Sequence, residues 1–180
     1  LAFCCVVTGI EGGAFLFMSV CLHESAHLAA MAIFHALPVK VVFSGFGCRM
    51  ILSEKHRLSY RQNAVISLAG PLGNLALASV FFVLNPENQI AIQSNLALGI
   101  LHLLPIEPLD GGLAVHAFLR GKIAAGKADK ICLVLSITLL LPLSILGFLI
   151  LLQTRYNFSL LALSIYLMLY LVLGRNFLPL

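Results

Sequence analysis

Long runs of apolar residues, separated by short polar segments, fill most of this sequence. One of them, "ICLVLSITLLLPLSILGFLILL" at residues 131–152, contains no charged side chain. A helix needs roughly 20 predominantly apolar residues to cross the hydrocarbon core of a bilayer. Only 10% of the 180 residues are charged, whereas soluble domains carry about 25%. The chain is therefore predicted to be an integral membrane protein with a single membrane-embedded domain over residues 1–180.

The apolar runs predict an all-α polytopic membrane protein with about six transmembrane helices. Gly12 and Gly13 are expected to form a turn between the first two helices. The predicted spans are residues 1–10 (the end of a truncated first helix), 14–36, 62–84, 89–106, 129–152 and 157–174.

A polar segment between the second and third predicted helices differs in character from the others. Its sequence "VKVVFSGFGCRMILSE", residues 39–54, is rich in β-branched residues on both sides of a glycine-containing turn. Such a pattern predicts a small β-hairpin, with strands at 39–44 and 48–53.

The basic residues predict the orientation of the chain in the cell membrane. The segments 37–61 and 119–130, together with the tail after residue 174, hold 10 of the 11 Lys and Arg residues. These regions share one side of the membrane in a six-span topology, and only Arg155 lies on the other side. Cytoplasmic loops carry an excess of Lys and Arg, so the basic loops and both termini are predicted to be cytoplasmic. The net charge of +4 is explained by this topology, and no nucleic-acid partner is expected.

The second predicted helix carries three ionisable side chains within an apolar run. Residues 19–31 read "SVCLHESAHLAAM" and contain His23, Glu24 and His27. Such groups are rare inside membrane helices unless they have a function. Histidines four residues apart lie on one helix face and can bind one zinc ion, with the glutamate as general base, as in the HExxH motif of metalloproteases. The alternative is a set of polar groups that satisfy one another without a metal.

A catalytic zinc ion takes a third protein ligand and leaves its fourth position to water. The segment "HLLPIEPLDGG", residues 102–112, offers Asp110 as the best candidate, because two prolines break the fourth helix just before it. Broken backbone at membrane depth is tolerated only where it is buried in protein or lines a wet cavity. Glu107 and His116 are rival ligands, and Asp110 could instead be the N-cap of a short helix over 111–119.

Three motifs follow one another along the chain. "HESAH" lies at 23–27 in the second helix, "AGPLGN" at 69–74 in the third, and "PIEPLDGG" at 105–112 in the fourth. In this order they resemble the HExxH, AGPxxN and NxxPxxxLDG motifs of the site-2 protease family of intramembrane zinc metalloproteases. The resemblance covers a core of about residues 14–120, with two further helices at about 129–174. The short core is similar to the subgroup containing the stage IV sporulation protein FB.

This resemblance implies an intramembrane zinc metalloendopeptidase. It implies Zn2+ bound by His23, His27 and Asp110, with Glu24 as the catalytic base. The expected substrate is a membrane-embedded or membrane-associated protein, and the subgroup suggests a pro-sigma or anti-sigma type regulator in sporulation. The lipid bilayer surrounds the site, and a regulatory membrane partner or an oligomer is left open.

Two residues near the predicted site have several interpretations. His102 stands where the family has an asparagine that is thought to assist the active site. It could replace that asparagine as a hydrogen-bond donor, disturb the zinc ion, or serve packing only. Asn74 could hydrogen-bond near the site, whereas Gly70 and Gly73 beside it are explained by close helix packing.

Other functional classes fit the same ligands. A membrane protein that binds or transports metal would use both histidines but would not require Glu24. A catalytically inactive relative could bind substrates as a scaffold, for which His102 is the only indication.

Overall fold

The computed structural model describes residues 2–44, 47–51 and 58–174, with side chains at 12–40 and 58–173. The chain divides into two compact units, residues 1–104 and residues 105–180. The predicted single domain over 1–180 stays a prediction.

The first unit is built from three helices that all contact one another, together with a pair of short strands. Its long helix α1 carries the HESAH motif, and α2 carries the AGPLGN motif. The elements are α1 (Ala2–Ile33), β1 (Lys40–Ser44), β2 (Gly47–Ile51), α2 (Tyr60–Leu84) and α3 (Gln89–Leu103).

Helix α1 runs without interruption through Gly12 and Gly13, so the predicted turn there is wrong. Glycine costs about 1 kcal/mol relative to alanine inside a helix. A turn would instead leave backbone N–H and C=O groups unsatisfied in apolar surroundings, at a cost of several kcal/mol for each group. The helix is therefore the less costly arrangement, and 1–10 is not a separate span.

The strands β1 and β2 pair antiparallel, with Val42 opposite Arg49. They fall within the predicted hairpin segment 39–53. The turn residues 45 and 46 lie outside the described residues, and the hairpin stays a prediction.

The ends of α2 and α3 follow from local sequence signals. Ser59 and Gln62 form a capping box at the start of α2. The side chain of Asn88 accepts a hydrogen bond from the Ala91 N–H at the start of α3. Helix α3 ends at Leu103, because a residue that precedes a proline, here Leu104 before Pro105, disfavours helical backbone. The predicted break before Asp110 is confirmed.

Between residues 105 and 174, the described part of the second unit, there are three helices and one π-helical turn. Helix α5 contacts both α4 and α6. A Cβ atom on Gly147 would lie 2.7 Å from the backbone nitrogen of Leu161, so α5 and α6 approach closely where the glycine leaves room. The elements are α4 (Asp110–Arg120), α5 (Ala125–Thr154), α6 (Ser159–Leu169) and the π-helical turn (Tyr170–Gly174).

Three helices within the described residues are long and apolar enough to cross a membrane. These are Gly12–Ile33, Tyr60–Leu84 and Ala125–Thr154. Large apolar side chains are exposed on their surfaces, as expected for contact with lipid. The chain is therefore a predominantly helical membrane protein. Helix α3 has 15 residues and α6 has 11, fewer than the roughly 20 that a span needs, so the six-span count stays a prediction.

Candidate metal centre

Helix α1 brings its two histidines together on one buried face. His23 is 3% exposed and His27 is 7% exposed. Their Nε2 atoms lie 3.2 Å apart, because residues four apart on a helix lie one turn above each other. Glu24, next to His23 in the sequence, is half-buried.

Both imidazoles are oriented from behind by oxygen atoms of α2. His23 Nδ1 lies 2.6 Å from Asn74 Oδ1, and His27 Nδ1 lies 2.7 Å from the Ile66 carbonyl oxygen. Carbonyl oxygens only accept hydrogen bonds, so in each neutral ring Nδ1 carries the proton. This tautomer places the lone pair of each ring on Nε2.

The arrangement of the two Nε2 atoms fits a divalent metal ion. With Zn–N bonds of about 2.0–2.1 Å, two nitrogens on a tetrahedral zinc ion are separated by about 3.3 Å. The observed 3.2 Å is close to that value. The same separation also allows a hydrogen bond between the rings when one Nε2 carries a proton, so the two Nε2 atoms can share either a proton or a metal ion. Oxygen acceptors at the other ring nitrogen are also typical of metal-binding histidines.

Gly70 on α2 lies directly against this pair of rings. A Cβ atom at this position would overlap Nε2 of His27 and would lie 2.7 Å from Nε2 of His23. The sequence interpretation assigned Gly70 and Gly73 to helix packing alone. That interpretation suits Gly73, whose Cβ would meet only the Ala26 methyl group at 3.0 Å. It is incomplete for Gly70, which makes room for the imidazole nitrogens.

His102, near the end of α3, packs edge-to-face against His23. The ring centroids are 4.5 Å apart, and the ring planes are inclined by 67°. His102 is half-buried. The structure thus brings His102 next to a predicted ligand, while its interpretation as donor, disturbing group or packing residue stays open.

Asp110 belongs to the second unit, where it is the first residue of α4 and is half-buried. The N-cap of α4 is Leu109, without a side-chain hydrogen bond, so the alternative of Asp110 as N-cap is wrong. A carboxylate in the first turn interacts favourably with the helix dipole. Its role as third zinc ligand stays a prediction.

The rival ligands Glu107 and His116 pair with each other in the second unit. His116 Nδ1 lies 3.0 Å from Glu107 Oε1, and His116 Nε2 lies 2.7 Å from Asp129 Oδ1. The distance between His116 and Glu107 is that of an ion pair, but the atoms are not aligned for a hydrogen bond. Arg120 contacts the same Asp129 oxygen at 3.0 Å. Since both ring nitrogens of His116 face carboxylates, we interpret this group as an ion-pair network.

Comparison with known proteins places these observations in context. No family model matches the sequence. The stage IV sporulation protein FB of Bacillus subtilis (strain 168) is 28% identical over 124 residues, which cover 64% of this chain and 43% of that protein. This chain thus spans less than half the length of that curated relative.

Among solved structures, the site-2 protease from Methanocaldococcus jannaschii superimposes with a TM-score of 0.62 and 24% sequence identity. The match covers 86% of this chain and 72% of that chain. The chain has the fold of a site-2 protease. Together with the sequence match to the sporulation protein, this finding confirms the resemblance to the site-2 protease family.

The contacts in the first unit explain what the residues of two of the three motifs, HESAH and AGPLGN, do in the structure. In the first unit, Gly70 and Asn74 of AGPLGN contact His23 and His27 of HESAH. Gly70 leaves space for both imidazole rings, and Asn74 Oδ1 accepts a hydrogen bond from Nδ1 of His23. A residue outside the motifs also belongs to this cluster: Asn95 on α3, which is 2% exposed and hydrogen-bonds to Asn74. Its sequence surroundings carry no signal that could have identified it.

Proposed function

We propose that this protein is an intramembrane zinc metalloendopeptidase of the site-2 type. The observation that carries the proposal is the pair of buried imidazoles on α1, with Nε2 atoms 3.2 Å apart and Nδ1 atoms directed at carbonyl oxygens. His23 and His27 would hold a metal ion through these two nitrogens.

His23 and His27 would hold the metal, and Asp110 is the proposed third ligand. Two imidazoles and one carboxylate form a donor set typical of catalytic zinc sites that leave one position to water. When bound, zinc lowers the pKa of its water ligand to about 7 and polarises the carbonyl group of the substrate.

Glu24 has the role of general base in this proposal. One of its carboxylate oxygens takes a proton from the water that attacks the scissile carbonyl carbon. The same oxygen then gives the proton to the leaving amine nitrogen as the C–N bond breaks. Asn74 holds the ring of His23 in place during both steps, and the Ile66 carbonyl does the same for His27.

The proposed substrate is a membrane-embedded or membrane-associated protein. The similarity to the stage IV sporulation protein FB favours a regulator of the pro-sigma or anti-sigma type.

The basic segments 37–61 and 119–130 and the tail after residue 174 are proposed to face the cytoplasm. Their Lys and Arg content supports this orientation. The predicted cytoplasmic N-terminus depended on a turn at Gly12 and Gly13, and the continuous helix α1 removes its basis. We therefore make no such proposal for the N-terminus.

Replacing Glu24 by glutamine tests the proposed reaction. Glutamine keeps the size of the side chain but has no carboxylate to accept the proton. We expect Glu24→Gln to bind about one zinc ion per chain and to lose at least about 100-fold in cleavage rate, since general bases contribute roughly 10²–10⁴-fold. Cleavage is measured by co-expression with membrane-tethered candidate substrates, including a pro-sigma factor, and zinc by metal analysis of the purified protein.

Glu87→Gln is the matched control, because Glu87 lies in an exposed loop and should retain full cleavage. Cleavage by Glu24→Gln at the normal rate would refute the general-base assignment. A purified protein without zinc, or one that keeps its zinc after His23→Ala, would refute the metal site. Glu24-independent metal flux would point to a transporter instead.

A further inference from the structure

The buried amide of Asn95 lies behind the proposed metal site, two hydrogen bonds away from His23. Asn95 is 2% exposed and Asn74 is fully buried. Asn95 lies on the face of α3 that also carries Ala91 and Gly99, the other buried residues of that helix. An amide in such a position is costly unless its polar atoms are hydrogen-bonded.

In the hydrogen bonds of the two amides each residue donates to the next, from His23 through Asn74 and Asn95 to the Ala91 carbonyl oxygen. Asn95 Nδ2 donates to the Ala91 carbonyl oxygen at 2.9 Å, and Asn95 Oδ1 accepts from Asn74 Nδ2 at 2.9 Å. Asn74 Nδ2 also donates to the Ser19 carbonyl oxygen at 3.1 Å. Asn74 Oδ1 then faces Nδ1 of His23 at 2.6 Å.

This direction cannot be reversed, because backbone carbonyls at both anchor points only accept hydrogen bonds. Rotating the amide of Asn74 by 180° would place its oxygen against two other oxygens, those of Ser19 and Asn95. Rotating the amide of Asn95 would place its oxygen against the Ala91 carbonyl. The backbone therefore determines that Asn74 presents an oxygen, and not an NH2 group, to His23.

We propose that Asn95 is a positioning residue for the metal site. It acts through Asn74 to hold His23 in the Nδ1–H tautomer, which directs the Nε2 lone pair at the metal. Groups that hydrogen-bond directly to a ligating histidine, as Asn74 does, typically contribute about 10–100-fold to metal affinity, and Asn95 is one hydrogen bond further away. The presence of a metal ion at this site depends on the proposed function, whereas the assignment of the His23 tautomer does not.

Zinc affinity of the detergent-solubilised protein, measured by competition with a chromophoric chelator, tests this role. Asn95→Leu removes the acceptor for Asn74, and we expect an affinity loss of about 10-fold, the lower end of the range for direct partners of a ligand. Asn95→Thr keeps an oxygen that can accept from Asn74 Nδ2 and a hydroxyl hydrogen that can be donated to the Ala91 carbonyl, so it should lose clearly less. If Asn95 acts through Asn74, then Asn74→Leu combined with Asn95→Leu should bind zinc no more weakly than Asn74→Leu alone.

Two control variants separate this role from simple packing. Gln93→Leu makes the same change from amide to apolar side chain at an exposed position of α3. Gly99→Ala crowds Leu75 at the α2–α3 contact without removing a hydrogen bond. Three results would each overturn the proposal. The first is wild-type zinc affinity in Asn95→Leu, and the second is additive losses in the double variant. The third is an equal loss of zinc affinity in Gly99→Ala and Asn95→Leu at matched thermal stability.

Nitrogen-15 NMR of histidine in the metal-free protein, at about pH 8, supplies a test that does not depend on zinc. We expect His23 in the Nδ1–H form in the wild type and a mixture of tautomers in Asn95→Leu. An unchanged tautomer in the variant would overturn the role of Asn95, whereas wild-type protein that binds no zinc would overturn only the proposed function.

Discussion

Gly70 shows how a single missing side chain can determine whether a metal site exists. The imidazoles of His23 and His27 occupy the space in which a Cβ atom of residue 70 would lie. The rings are held against the same helix by Ile66 and Asn74, one turn before and one turn after Gly70. They therefore cannot move away from a larger residue without losing those hydrogen bonds.

Gly70→Ala should consequently weaken zinc binding by about 100-fold, the upper end of the effects seen for groups that orient metal ligands. Gly73→Ala is the matched control one turn along α2. Its Cβ would meet only the Ala26 methyl group, so we expect a loss of about 1–3 kcal/mol in stability with zinc affinity retained. Chelator competition and thermal unfolding measure the two quantities, and similar zinc affinities in both variants would contradict this account.

At the level of single residues, the sequence predicted the placement of the two histidine rings better than the residues that surround them. The spacing of His23 and His27 is sufficient to place their rings on one helix face. By contrast, Gly70 and Gly73 are equivalent in a pattern of small residues, and only the contact between α1 and α2 shows which of them faces the rings. Asn95 could not be identified for the same reason, because its partners lie on other turns and another helix.

Among the helices of the second unit, a buried ion-pair network joins the proline-containing segment to α4 and α5. Glu107 and His116 have side chains that are only 10% and 8% exposed, whereas Arg120 and Asp129 at the outer end are 29% and 31% exposed. The backbone N–H of Glu107 also donates to Ser136 on α5 at 3.0 Å. The segment that precedes Asp110 is thus held by both a side chain and the backbone.

Removing the buried member of this network should be costly. His116→Leu leaves the carboxyl groups of Glu107 and Asp129 without their His116 contacts, and we expect a loss of about 1–3 kcal/mol, the cost of an unsatisfied buried polar group. Arg120→Ala is the comparison, because exposed ion pairs contribute about 0–1 kcal/mol. Thermal unfolding of the purified protein in detergent measures both, and an equal loss of stability in the two variants would contradict the network as described.

The helices themselves were predictable wherever hydropathy and local capping signals agree. Predicted spans 62–84 and 129–152 correspond to α2 and α5, and the prolines correctly predicted the end of α3 before Asp110. The failure at Gly12 and Gly13 has a physical cause. Glycine favours turns in water, but apolar surroundings favour a continuous set of helical hydrogen bonds.

For the molecule as a whole, orientation in the membrane follows from charge and is independent of the site. Helix α2 is 25 residues long, which is sufficient to cross a bilayer. It begins at the end of the basic segment 37–61 and ends at the "NPENQ" loop, which contains no Lys or Arg. Because Lys and Arg are retained on the cytoplasmic side, the two ends of α2 should be accessible from opposite sides.

Single cysteines at Leu37 and Glu87 test this orientation in a background in which the five native cysteines are replaced by serine. Both positions are exposed, and neither substitution removes a positive charge. In right-side-out membrane vesicles, a membrane-impermeant maleimide should label Glu87→Cys at once and Leu37→Cys only after permeabilisation. Labelling of both cysteines from the same side would mean that α2 does not cross the bilayer. The reverse pattern would show that the basic segment faces outward.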